Sequence, residues 1–200
     1  MRNKELFTLA VAFLMQMAQA TKFSTSLNEY VVNGEATLDP HTLLVRKNIS
    51  GASSNYDFID AQTEKVAGIS TLQGTTLPKG QALIAHGISI SYAVGALADG
   101  PGAQDYTAAV PAIVRNAHLL IKQNGREVIN EPVSNFLKGE ATANSMDYYF
   151  DTPSFRYLVD DESIEIKLVF PTGTNLAAAT AADNHFLELR ILGQKTNRKV

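Results

Sequence analysis

Residues 118–131 read HLLIKQNGREVINE. Two runs of strand-forming residues flank Asn124-Gly125, and both residues of that pair accept the positive φ of a tight hairpin turn. This is the strongest short-range signal for an antiparallel hairpin. A chain that doubles back on such a turn builds its sheet from antiparallel neighbours, with no helical crossover between strands.

The flanking sequence carries the same period. Residues 163–170, SIEIKLVF, alternate strictly, with Ile164, Ile166, Leu168 and Phe170 on one face and Ser163, Glu165, Lys167 and Val169 on the other. Residues 185–193, HFLELRILG, alternate likewise and turn Leu187, Leu189 and Ile191 inward. In residues 83–94, LIAHGISISYAV, the pattern puts Ile84, His86, Ile88, Ile90, Tyr92 and Val94 on one face, with Ser89 and Ser91 opposite. Tyr148, Tyr149 and Phe150 suggest a short strand ended by Pro153, and residues 155–163 a helical turn or a corner. Weaker strand signals lie at residues 30–32, 43–46 and 56–59, between turn clusters such as Asn33-Gly34 and Asp39-Pro40. Residues 175–183 read as a short helix or a loop, and residues 194–200 as a solvated basic tail. The sum is about seven or eight short strands with turns between them and no regular intervening helices. That predicts an all-β fold: an antiparallel β-sandwich over residues 23–200, with a jelly roll as the expected topology.

Residues 1–20, MRNKELFTLAVAFLMQMAQA, differ from everything after them. Leu, Ala, Met, Gln and Glu favour helix, and neither Gly nor Pro interrupts the run. The apolar stretch from Leu6 to Ala18 is shorter than the ~20 residues of a membrane span and matches the core of a secretory signal peptide. Glu5, however, offsets part of the basic start. The preferred reading is an N-terminal helical arm, residues 1–22, that stays on the protein; the alternative is a cleaved signal peptide. Because the segment is apolar nearly all round, something must cover it. Leu6, Phe7, Leu9, Val11, Phe13, Leu14 and Met17 are the expected contact residues, toward a neighbouring subunit or a lipid surface.

Composition narrows the chemistry. The chain is 45% hydrophobic and only 18% charged, which places it among globular proteins with much neutral surface rather than disordered ones. A net charge of -3 gives no global attraction to nucleic acid, and specific nucleic-acid binding is not expected. The absence of cysteine removes disulfides, thiol catalysis and cysteine metal sites. His41, His86, His118 and His185 have no metal-ligand spacing. No Gly-x-Ser-x-Gly elbow or phosphate-binding loop is present. Asp160, Asp161 and Glu162, with Asp147 and Asp151, could hold a hard cation, but a solvated turn is the default. The expectation is a protein that is not an enzyme and uses no cofactor.

Residues 110–137 (VPAIVRNAHLLIKQNGREVINEPVSNFL), 148–173 (YYFDTPSFRYLVDDESIEIKLVFPTG) and 184–195 (NHFLELRILGQK) share their strand rhythm and loop placement with one group of proteins. Together they resemble the tail half of jelly-roll coat and accessory capsid proteins of bacteriophages. The resemblance implies a structural virion protein present in many copies on a symmetric shell. Its partners would be copies of itself and other virion proteins, and its location the virion. N-terminal arms are common in that class. This one is apolar where arms facing nucleic acid are basic, which directs it to a protein neighbour or, through residues 4–19, to an internal lipid membrane. Two other classes compete: a secreted or periplasmic β-sandwich (an adhesin, a pilus-type subunit or a carbohydrate-binding module), and an enzyme on a cupin-like or lyase scaffold.

Overall fold

A computed structural model describes residues 2–137 and 150–198. Two helices come first, α1 (Arg2–Gln19) and α2 (Thr25–Val32). Three strands follow: β1 (Ala36–Asn48), β2 (Asn55–Asp57) and β3 (Leu83–Gly95). After a short helix, α3 (Ala112–Arg115), come β4 (His118–Gln123), β5 (Arg126–Pro132), β6 (Phe150–Leu158), β7 (Ile164–Val169) and β8 (Asn184–Arg198). The strands form two four-stranded sheets, ordered β1-β8-β3-β6 and β2-β7-β4-β5, and every ladder is antiparallel. The all-β sandwich expected from the alternation is therefore present.

Local chemistry accounts for much of this. Asn124 and Gly125 adopt φ of 47° and 75° and join β4 to β5, as the dipeptide requires. Ile164, Ile166, Leu168 and Phe170 are all buried, as are Leu187, Leu189 and Ile191. They interleave between the sheets with Leu43 and Val45 of β1, Ile88 and Ile90 of β3, and Leu119 and Ile121 of β4. This single core lies between the inner faces of the two sheets, the arrangement that two half-apolar sheets demand.

Five expectations need correction. Residues 30–32 are helical, not extended: Ser24 caps α2 by accepting a hydrogen bond from the Leu27 amide at 3.4 Å, and Leu27 and Val31 bury together one helical turn apart. Those gains outweigh the β preference of Tyr30, Val31 and Val32. In β3 the pairing shifts between Ala85 and Gly87 against both neighbours, so His86 is a bulge. A one-residue insertion reverses the faces. Leu83 and Ala85 face the core before the bulge, and Ile88, Ile90 and Tyr92 after it. Ile84 instead points to the outer face, and Val94 is exposed. Pro153 does not end its strand, since β6 is an edge strand where a missing N–H donor is tolerated. Residues 155–158 continue β6 rather than turning. The basic C-terminal segment is no tail as far as Arg198: β8 pairs with β1 from Phe186 opposite Asn48 to Arg198 opposite Ala36. Tyr148, Tyr149, Asp147 and Lys199 lie outside the described residues.

Helices α1 and α2 form a third layer on the outer face of the first sheet. Ala10, Leu14 and Ala18, spaced a turn apart, are buried together with Phe23, Leu27 and Val31 over Ala82, Ile84 and Val159. Phe13 stacks in tilted fashion against Phe155 and Tyr157, with ring centroids 5.5 and 6.1 Å apart. The small side chains of Ala10 and Ala18 allow the close approach. Asp160 fastens this layer: its Oδ2 accepts from the Ser24 hydroxyl at 2.8 Å and the Gly80 amide at 2.6 Å. The acidic cluster thus places its first member, buried, in a structural clasp rather than in a solvated turn, while Asp151 pairs with Gly87 in the β3–β6 ladder.

Candidate subunit-contact surface

The α1 helix is where the expected contact residues sit, and the structure divides them. Leu14 is buried against its own chain; Phe13 and Met17 pack partly against the same cluster, and Leu6 is half-buried. The layer beneath α1 thus covers Leu14 and part of Phe13 and Met17. Phe7, Leu9 and Val11 do face outward, at 43%, 55% and 37% exposure, and Met15 joins them at 41%. Met15 was not among the expected contacts; its position one turn beyond Val11 is the signal that finds it.

Phe7, Val11 and Met15 stand in one row, four residues apart. They line a groove of about 490 Å³ whose other wall is Gly34 and the start of β1, Ala36 to Asp39. No charged residue occurs between Leu6 and Gln19. The groove runs beside an edge strand, since β1 pairs only with β8 along its first half. An uncharged apolar row next to a sheet edge is the kind of surface soluble monomers avoid. Among the described residues no helix is long and apolar enough to cross a membrane.

Elsewhere on the outer face of the same sheet is a buried ionic network that sequence reading missed. Glu188 of β8 has a side chain only 1% exposed. Its Oε2 accepts from Arg46 Nε at 2.8 Å and from Arg190 Nη2 at 2.9 Å, and Arg190 Nε lies 2.9 Å from Oε1. Arg46 also donates to the Gly68 carbonyl at 2.8 Å and sits 4.8 Å over the Tyr106 ring. The Tyr106 hydroxyl donates to the Pro101 carbonyl at 2.7 Å. The network therefore ties two long loops onto the sheet. Alternation alone makes Arg46, Glu188 and Arg190 outward-facing, hence solvated; only the β1–β8 register, with Arg46 opposite Glu188, brings them together.

Burial raises the Tyr106 phenol above its ordinary pKa; Arg46 opposes the shift and Glu188 adds to it. Burial pushes Tyr92 up to about 12. Its hydroxyl meets His185 Nδ1, and the two rings stack at 5.9 Å. Because the folded values lie above the unfolded value of about 10, the corresponding stability is complete below that pH. It is lost as pH rises through the folded values. Urea midpoints measured across the alkaline range should fall, and Tyr92→Phe should flatten that fall.

The four histidines lie on β1, on the β3 bulge, at the start of β4 and on β8. Among the described residues no group of three or more His, Cys, Asp or Glu side chains is placed to hold a metal. Ser89 and Ser91 are buried on the face opposite Ile88 and Ile90. Comparison with protein-family models, curated proteins and solved structures finds no match to this chain.

Proposed function

We propose that this chain is a jelly-roll structural subunit of a bacteriophage virion, assembling in many copies into a shell. The observation that carries the fold reading is the pairing pattern. β1 pairs with β8, β2 with β7, β3 with β6 and β4 with β5. That is one long hairpin, rolled so that β8 also meets β3 and β7 also meets β4. This winding supports the jelly-roll reading, a plan that capsid proteins share with lectins and cupins. Fold alone does not choose among them. The exposed row Phe7, Val11 and Met15 beside the β1 edge supports the shell, because a particle subunit has neighbours to cover it. The inward row Ala10, Leu14 and Ala18 supports an arm that stays, since its removal would lay bare Leu27, Ile84 and Val159.

In this reading the contact partner is a second copy or another virion protein, and the internal membrane is the competing cover. The side chains of the row are already more than half buried. Completing their burial is worth roughly 2–4 kcal/mol per copy. That is small for one pair of subunits but large when repeated around a closed shell.

Truncation at Thr21 is a poor test, because it uncovers the sheet. The triple variant Phe7→Glu/Val11→Glu/Met15→Glu changes only the outer row. Sedimentation and light scattering at high protein concentration should show the unaltered chain in large particles. The variant should remain monomeric with an unchanged circular dichroism spectrum. An unaltered chain that stays monomeric, or a variant that assembles equally well, overturns the shell reading. Flotation of the unaltered chain with phosphatidylcholine vesicles, lost in the same variant, would move the contact from protein to lipid.

A further inference from the structure

A second concave site lies away from α1, where residues 65–81 fold against β1, β3 and β8. It is a pocket of about 130 Å³. Its floor is apolar: Leu43, Leu72, Leu77 and Leu83, all buried. Its polar lining is one-sided. His41 comes from β1, Lys195 from β8 and Lys65 from the loop, with Thr71, Gln73 and Gln81 between them. No carboxylate lines it. Asp39, two residues back along β1 and opposite Lys195 in the β1–β8 ladder, is the nearest carboxylate on that face; it does not line the pocket, and its Oδ2 accepts from Asn197 Nδ2. Among the described residues the ion pairs include neither Lys65 nor Lys195.

A protein with three more acidic than basic residues has carboxylates to spare for its surface lysines. Two lysines and a histidine converging on one small pocket with no carboxylate in its lining and no ion pair to either lysine are therefore informative. Like charges held together over an apolar floor repel, and an anion placed between them removes the repulsion. Thr71 is committed to the Leu44 backbone, but the Thr76 hydroxyl and the Gln73 and Gln81 side-chain amides in the same lining can donate the remaining hydrogen bonds. The volume suits one compact group and excludes a nucleotide or a sugar. We infer that this pocket binds a single oxyanion group, a phosphate or a carboxylate, held by Lys65, Lys195 and His41.

His41 reports on the site. Burial first, then the Lys195 and Lys65 ammoniums, hold its pKa below the ordinary histidine value. An anion seated among the three groups opposes both ammoniums and favours the imidazolium. The experiment follows the His41 ring protons by NMR across pH in the full chain, in sodium chloride, sodium phosphate or sodium acetate at one ionic strength. Phosphate or acetate should raise the His41 pKa by about one unit relative to chloride. A response to phosphate alone assigns the site to a phosphoryl group, and a response to acetate to a carboxylate. In Lys65→Met/Lys195→Met the His41 pKa should start higher and should no longer respond. An unchanged circular dichroism spectrum and urea midpoint show that this variant is folded. Equal titration in all three salts, or a response that survives in the double variant, overturns the inference.

Discussion

Gly193→Ala should destabilise the protein by about 3 kcal/mol, read as a lower urea midpoint with an unchanged slope. A Cβ at this position would stand 2.3 Å from the Ile84 carbonyl oxygen, 2.9 Å from its carbon and 3.0 Å from Ala85 Cα. All three atoms are backbone, so no rotamer change relieves the clash. Gly193 pairs with His41 on one side and Ala85 on the other, directly before the His86 bulge. The close approach is how the two central strands of the first sheet pass each other where the register slips. Relief requires β3 and β8 to part at the centre of the sheet. The expected fall in Tm is about 6–12 °C for a chain of this size. Gly173→Ala is the control: it lies in open space at φ 76° and should cost only the backbone strain of about 1–2 kcal/mol. If Gly193→Ala costs no more than Gly173→Ala, the close packing of β8 on β3 is wrong.

Arg46→Met should cost a similar amount, about 3 kcal/mol. It removes one of the two guanidiniums holding Glu188, along with the bond to Gly68 and the stack on Tyr106. The cost comes from leaving a carboxylate that is 1% exposed with half its partners. Removing the whole triad by Arg46→Met/Glu188→Leu/Arg190→Met should recover most of the loss, because no charge is then left buried. Equilibrium unfolding of the three single variants and the triple variant checks this. A triple variant as unstable as the sum of the singles would show the network to be stabilising in itself rather than merely costly to break.

Both effects depend on long-range register, and the legibility of the rest of the molecule divides along the same line. The hairpin at Asn124-Gly125, the inward rows of β7 and β8, and the helicity of residues 4–19 could be read directly, because turn chemistry and side-chain period act within a few residues. The strand at residues 30–32 was misread because a cap and a buried pair, Leu27 and Val31, overrode local preference. Continuous alternation through His86 concealed a bulge that shows only when two partner strands are aligned.

The contact surface was half legible. That α1 needs a cover follows from its composition. Which side its own sheet covers does not: Ala10, Leu14 and Ala18 differ from Phe7, Val11 and Met15 by angle around the helix, and the sheet chooses between the two rows. The pocket of His41, Lys65 and Lys195 and the triad of Arg46, Glu188 and Arg190 had no sequence signal, since their members are far apart along the chain.

By itself the sequence determined the elements, the alternation of their faces and the absence of a cysteine chemistry, all of which rest on neighbours a few bonds away or on composition. The tertiary structure alone decided which strand lies beside which, which face of α1 stays open and which charges meet. Those outcomes depend on register between segments such as Arg46 and Glu188, 142 residues apart, where no local preference reaches.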